Sequence, residues 1–184
     1  MKTLSSFTLD LIRKNSSNLT WMEERRFDWV SILLPVLNRI MQAQTLLVVT
    51  DKEREWLDKY IITTLNHTSM DRPMLPVLSL ETIFPKLDFA AESIEFELLE
   101  DMLSLSFPNG YTFFYVGRGD DKRATLAKRD NNSFMWLLDE KNQNAFWLNA
   151  KDENLDQKFV QLVKLLDESV DAALFMEIDL EALV

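Results

Sequence analysis

Two short stretches carry residue types that could hold a phosphate: "TDKERE", 50–55, and "GRGDDK", 117–122. Each follows an apolar run of strand character, and in doubly wound α/β proteins the turn after a strand is where ligands usually bind. A turn that cradles phosphate needs glycine, because its backbone must come close and adopt positive φ. "TDKERE" has none. Thr50 and Glu53 have the spacing of a capping box, Asp51 would repel an anion, and the pull of Lys52 and Arg54 is largely cancelled by neighbouring acids. The expectation is a capped helix start, with a small ligand at Thr50–Arg54 left open. "GRGDDK" begins like a dinucleotide fingerprint, but Lys122 stands at the third glycine position, and Asp120 and Asp121 face where pyrophosphate would lie. Two adjacent carboxylates without further ligands are a weak magnesium signal, so a polar turn is expected here.

Other chemistry is thinly supplied. His67 is the single histidine and there is no cysteine. Multi-histidine metal sites, thiolate zinc sites and thiol nucleophiles are therefore excluded together. No serine stands in a nucleophile-elbow context. Glu92, Glu95 and Glu100 recur at helical spacing in "ESIEFELLED", a pattern that reads as a solvated helix face. The five tryptophans read as core and interface rather than as a cofactor box. No catalytic residue, cofactor or metal is expected.

The elements that would position any site follow from periodicity. Residues 45–50 (TLLVVT), 74–80 (MLPVLSL), 111–117 (YTFFYVG) and 144–149 (NAFWLN) read as strands, the first buried on both faces as parallel strands are. Helices are expected over 3–14, 20–42, 52–65, about 90–104 and 153–175. Thr20 and Glu23 have capping-box spacing at the start of the second helix. "NSFMWLLDE" admits strand or helix, and Asn132 or Ser133 as N-cap favours helix. Strands alternating with helices give an α/β, three-layer fold with a mainly parallel sheet, in a single domain over 1–184. The 20–42 helix carries two apolar stripes, one with Phe27, Val30, Leu34, Leu37 and Met41, the other with Trp29, Leu33, Val36 and Ile40. Two stripes predict burial on two sides, the sheet and another subunit, which makes Trp21, Trp29, Leu33 and Val36 candidates for an oligomer interface. The tail from 176 to 184 alternates acidic and apolar residues and reads as an edge strand, a helix end or a docking segment.

The net charge of −10 argues against a nucleic-acid binder, which carries a basic patch for phosphates. It suits a basic protein partner. The N-terminus lacks the pattern of a signal peptide, and no apolar run approaches the roughly 20 residues that span a bilayer. A cytoplasmic location is expected.

Several segments in collinear order resemble the HobA family: "LTWMEERRFDWVSILLPVL", "TLLVVTDKEREWLDKYIITTLN", "RPMLPVLSL", "FFYVG", "NSFMWLLDE" and "LDQKFVQLVKLLDESVDAALF". Together they run from Trp21 to Phe175. The resemblance implies a sugar-isomerase-like fold without its catalysis and a homotetramer built as a dimer of dimers. It also implies binding to the N-terminal domain of the initiator DnaA, so that several initiators assemble at the replication origin without direct contact to DNA. A functional relative of the same fold, DiaA, uses a Leu-Phe pair near the end of its last helix. Leu174 and Phe175 stand in a similar setting here, "ALF", which implies a partner-binding role. The alternative is an isomerase-like enzyme or sensor that binds a phosphosugar at the "TDKERE" turn.

Overall fold

Residues 45–50 set the plan of the molecule. All six are buried and form β2 (Thr45–Thr50), a central strand paired in parallel with β3 (Val77–Ser79) on one side and β4 (Tyr111–Arg118) on the other. The computed structural model describes residues 1–15, 19–67, 72–85 and 93–181, without the side chains of 93 and 94; Glu92 and part of the loop after His67 lie outside them. The sheet is completed by β5 (Phe134–Leu138) and β6 (Ala145–Leu148), in the order β3-β2-β4-β5-β6, all parallel. Strand order reverses between β2 and β4, the switch point of a doubly wound sheet. A separate two-stranded ribbon joins β1 (Lys2–Thr3) to β7 (Ile178–Asp179), so that part of the acidic tail is a short strand.

The period-2 alternation of strand side chains divides the core between two faces. Leu46, Val48, Phe114, Val116, Phe134 and Trp136 face helices α1 (Leu4–Lys14), α2 (Arg26–Met41), α3 (Glu55–Leu65) and α7 (Leu155–Leu174). Leu47, Val49, Phe113, Tyr115, Met135 and Leu137 face a thinner layer, α4 (Leu80–Ile83), α5 (Ser93–Ser106) and α6 (Ala124–Arg129). The first core is aromatic at its centre. Trp29 lies 5.5 Å from Phe146, 5.7 Å from Trp136 and 6.1 Å from Phe134, ring centre to ring centre, within the range where tilted and edge-on rings attract.

This packing corrects the placement of Trp29, Leu33 and Val36 at a subunit interface. The helix packs on β5 and β6 and also against α1 and α7, while Phe27, in the other stripe, stays 56% exposed. Trp29, Leu33 and Val36 are core residues, with 0%, 0% and 2% of their surface exposed. Two local expectations also fail. The α2 helix begins at Arg26, preceded by a single 3-10 turn at Thr20–Met22, and Glu23 pairs with Arg13 at 3.0 Å instead of closing a capping box. "FMWLL" is β5, not a helix, and all five of its residues are buried.

The last helix is tied down by a buried cation. Arg72, with 2% of its side chain exposed, reaches Asp167 at 2.5 Å and Asp171, and donates to the Leu65 carbonyl at 2.7 Å. Burial raises the Asp167 carboxyl above its ordinary range, and Arg72 opposes that shift.

Trp29→Ala should cost about 3–5 kcal/mol of unfolding free energy. The expected result is a lower urea midpoint that does not depend on protein concentration. A residue of a subunit interface would instead shift the dissociation of the oligomer and leave the protomer's stability intact.

Candidate functional site

The crevice beyond the carboxyl ends of β2 and β4 is where a doubly wound sheet ordinarily takes a ligand. Here the protein's own side chains fill it. Asp51, 2% exposed, directly follows β2. Its Oδ2 accepts the Arg118 backbone N–H at 2.8 Å and the Arg54 guanidinium at 2.5 Å. Gly117 permits this approach, because a β-carbon there would fall 2.6 Å from Asp51 Oδ2 and 2.7 Å from the Tyr115 hydroxyl. That hydroxyl donates to the Arg118 carbonyl at 2.7 Å, and burial pushes its pKa up. Arg123, 4% exposed, donates to the Thr50 carbonyl at 3.1 Å and forms a two-pronged pair with Glu81 at 3.1 and 3.3 Å. Asp58, at the edge of this group, is raised by burial, with Ser79 as its hydrogen-bond partner opposing the shift.

Two cations that could attract a phosphate there, Arg54 and Arg123, are thus engaged by carboxylates of the same chain. The predicted Thr50–Glu53 capping box is absent. Thr50 is buried in β2, a 3-10 turn spans Lys52–Arg54, and α3 starts at Glu55. Asp51 stands at the N-cap position of that turn but makes no side-chain capping bond, its carboxylate being turned toward β4. The "GRGDDK" turn is likewise closed on itself. Asp120 pairs with Arg118 at 3.0 Å, which holds its carboxyl below the usual range, and Asp121 accepts the Arg123 backbone N–H at 2.8 Å. Among the described residues no group of three or more histidines or acids could hold a metal. His67 is exposed, as are Glu95 and Glu100.

The other predicted site residues lie apart from this crevice. Leu174, the last residue of α7, is half-buried against the first core, while Phe175 and Met176 project from its end, 57% and 76% exposed. Trp21 is half-buried; its Nε1 donates to Gln161 at 2.8 Å, and Lys158 sits 4.7 Å above its ring. Sequence reasoning missed Glu81 and Arg123. They are 42 positions apart and meet only once the sheet is assembled. The one local signal was an arginine opening the short apolar run "ATLA".

The model of a family described as "HobA: DNA replication regulator" matches residues 1–180. The DNA replication regulator protein HobA of Helicobacter pylori is 26% identical over 164 residues, 87% of each chain. A solved structure of a HobA–DnaA (domain I–II) complex from Helicobacter pylori aligns with a TM-score of 0.73 at 22% identity, covering 97% of this chain and 99% of that one. A phosphoheptose isomerase from Francisella tularensis aligns with a TM-score of 0.58 at 13% identity, covering 89% and 98%. The architecture is therefore that of the sugar-isomerase-like folds, as the sequence implied.

Asp51→Ala would leave the Arg54 guanidinium, whose side chain is only 11% exposed, with Glu53 alone, and would strip the Arg118 N–H of its acceptor. The expected loss is about 3 kcal/mol, measured by chemical unfolding. An unchanged midpoint would mean that the carboxylate does not hold the crevice together.

Proposed function

The chain belongs to the HobA family of DNA replication regulators, and on that premise we propose that it is a non-catalytic oligomeric scaffold. It binds the N-terminal domain of the initiator DnaA and promotes DnaA assembly at the replication origin. The observation that carries the non-catalytic part is the crevice itself, where Asp51 pairs with Arg54 and Glu81 with Arg123. The binding part draws support from the relative solved as a complex with DnaA domains I–II. An acidic chain, net −10, suits action through protein contacts rather than a grip on DNA.

The mechanism needs no reacting group. A homotetramer, arranged as a dimer of dimers, holds several initiators close together, and the raised effective concentration drives their assembly on DNA. The partner surface is assigned to Leu174 and Phe175. Phe175 supplies an exposed aromatic ring, the type that anchors interfaces, and Leu174 seats it on the rigid end of α7. Of the four residues first considered for the oligomer contact, Trp21 keeps part of its surface available. The protein is assigned to the cytoplasm and to no cofactor; among the described residues no helix is long and apolar enough to cross a membrane.

Calorimetric titration with the N-terminal domain of DnaA from the same organism tests the reading. Saturable binding is expected, weakened about 30-fold or more in the Leu174→Ala, Phe175→Ala variant, the loss of an interface hot spot. A folded variant that binds as tightly as the parent would remove the α7 end from the interface, and a parent that does not bind would remove the function.

A further inference from the structure

The edge of the sheet at β6 is built unlike the rest. β5 and β6 are parallel, yet only residues 139–144 connect them, where a parallel pair ordinarily needs a crossover of about a dozen residues, usually a helix. That connection contains no helix, and two adjoining depressions of about 370 and 400 Å³ open between it and α2. They share Ser31, Ile32 and Gln143 and so form one groove.

The chemistry of the groove differs from that of the whole surface. In a chain of net charge −10, its walls carry Arg25, Arg39 and Lys141 against a single carboxylate, Asp28. Arg25 and Asp28 stand 3.8 Å apart, and Arg25 also rests 4.0 Å over the Phe146 ring. Arg39 is held by Asn132 through its carbonyl and its side chain. Lys141 makes no ion pair among the described residues; its Nζ lies 5.2 Å from the Trp147 ring. Five carboxamides line the same walls: Asn131, Asn132, Asn142, Gln143 and Asn144. A carboxamide both donates and accepts, as a peptide backbone does. Ser133, only 7% exposed, lies in the groove with its hydroxyl unpartnered. Beside them β6 pairs only with β5, which leaves its outer backbone groups available to an added chain.

We propose that this groove docks an extended, acidic peptide segment of a protein partner. The carboxamides and the β6 edge take its backbone, and Lys141 with Arg25 takes its carboxylates. A single-stranded nucleic acid fits less well, because it needs exposed aromatic platforms for its bases, whereas Trp147 is half-buried with Lys141 beside it. The inference shares no residue with the Leu174–Phe175 surface and does not depend on DnaA binding.

The test uses the full chain and fluorescence anisotropy with three labelled probes: a peptide of alternating valine and glutamate, its valine–lysine counterpart, and an oligo-dT strand. Saturable binding of the acidic peptide alone is expected. Lys141→Glu, an exposed change that leaves the core untouched, should weaken it about tenfold, as reversal of a contact charge does, and Arg25→Glu should act in the same direction. The proposal is overturned if the acidic peptide binds no tighter than either other probe, or if Lys141→Glu binds it like the parent.

Discussion

The contact between the Asp51 carboxylate and the end of β4 constrains everything around the switch point. It requires a glycine at 117, because a β-carbon there would collide with both Asp51 and Tyr115. It draws Arg54 inward, which turns the chain through a 3-10 segment before α3 begins. A buried carboxylate is stable only when its charge is met by hydrogen bonds and a cation, and here both come from residues that a ligand-binding sheet would leave free. The fold has the shape of a sugar-isomerase-like domain, and the switch point of its sheet is occupied by the Asp51–Arg54 and Glu81–Arg123 pairs.

The same economy appears in the two helical layers. The thicker layer packs α2 against the sheet, α1 and α7, and the aromatic group around Trp29 joins that helix to β5 and β6. Arg72 fastens α7 through Asp167 and Asp171. The two surfaces proposed for partners are peripheral: the apolar end of α7 with Phe175 and Met176, and the polar groove beside β6. A rigid interior that presents distinct outer surfaces is what a scaffold needs, since an ordered binding surface loses little entropy on association.

Much of this was legible in the residues. β2 and β4 announce themselves as unbroken apolar runs, and α7 by 20 residues of helical periodicity. β5 was not, because "FMWLL" is a short apolar run that periodicity cannot assign, and the preceding Asn132 and Ser133 mimic an N-cap. Both capping boxes were misread for one reason. The motif records spacing only, whereas Glu23 pairs with Arg13 outside its turn and Glu53 pairs with the neighbouring Arg54. The absence of a glycine cradle was readable at "TDKERE". What replaces a ligand there was not, since Glu81 and the Arg118–Arg123 segment reach the end of β2 from separate stretches of chain. Burial of Trp29 was equally hidden, because the rings that receive it, Phe134, Trp136 and Phe146 of β5 and β6, meet α2 only in the folded chain.

The proposed scaffold would act by bringing initiators together, and origin assembly reports this directly. Full-length DnaA from the same organism would be titrated onto origin DNA, with and without this protein, and its occupancy followed by footprinting. The account predicts that the protein lowers the DnaA concentration needed to fill the origin, and that an excess of the isolated DnaA N-terminal domain abolishes the effect. Occupancy that is unchanged by the protein, or an effect that survives the competing domain, would contradict it.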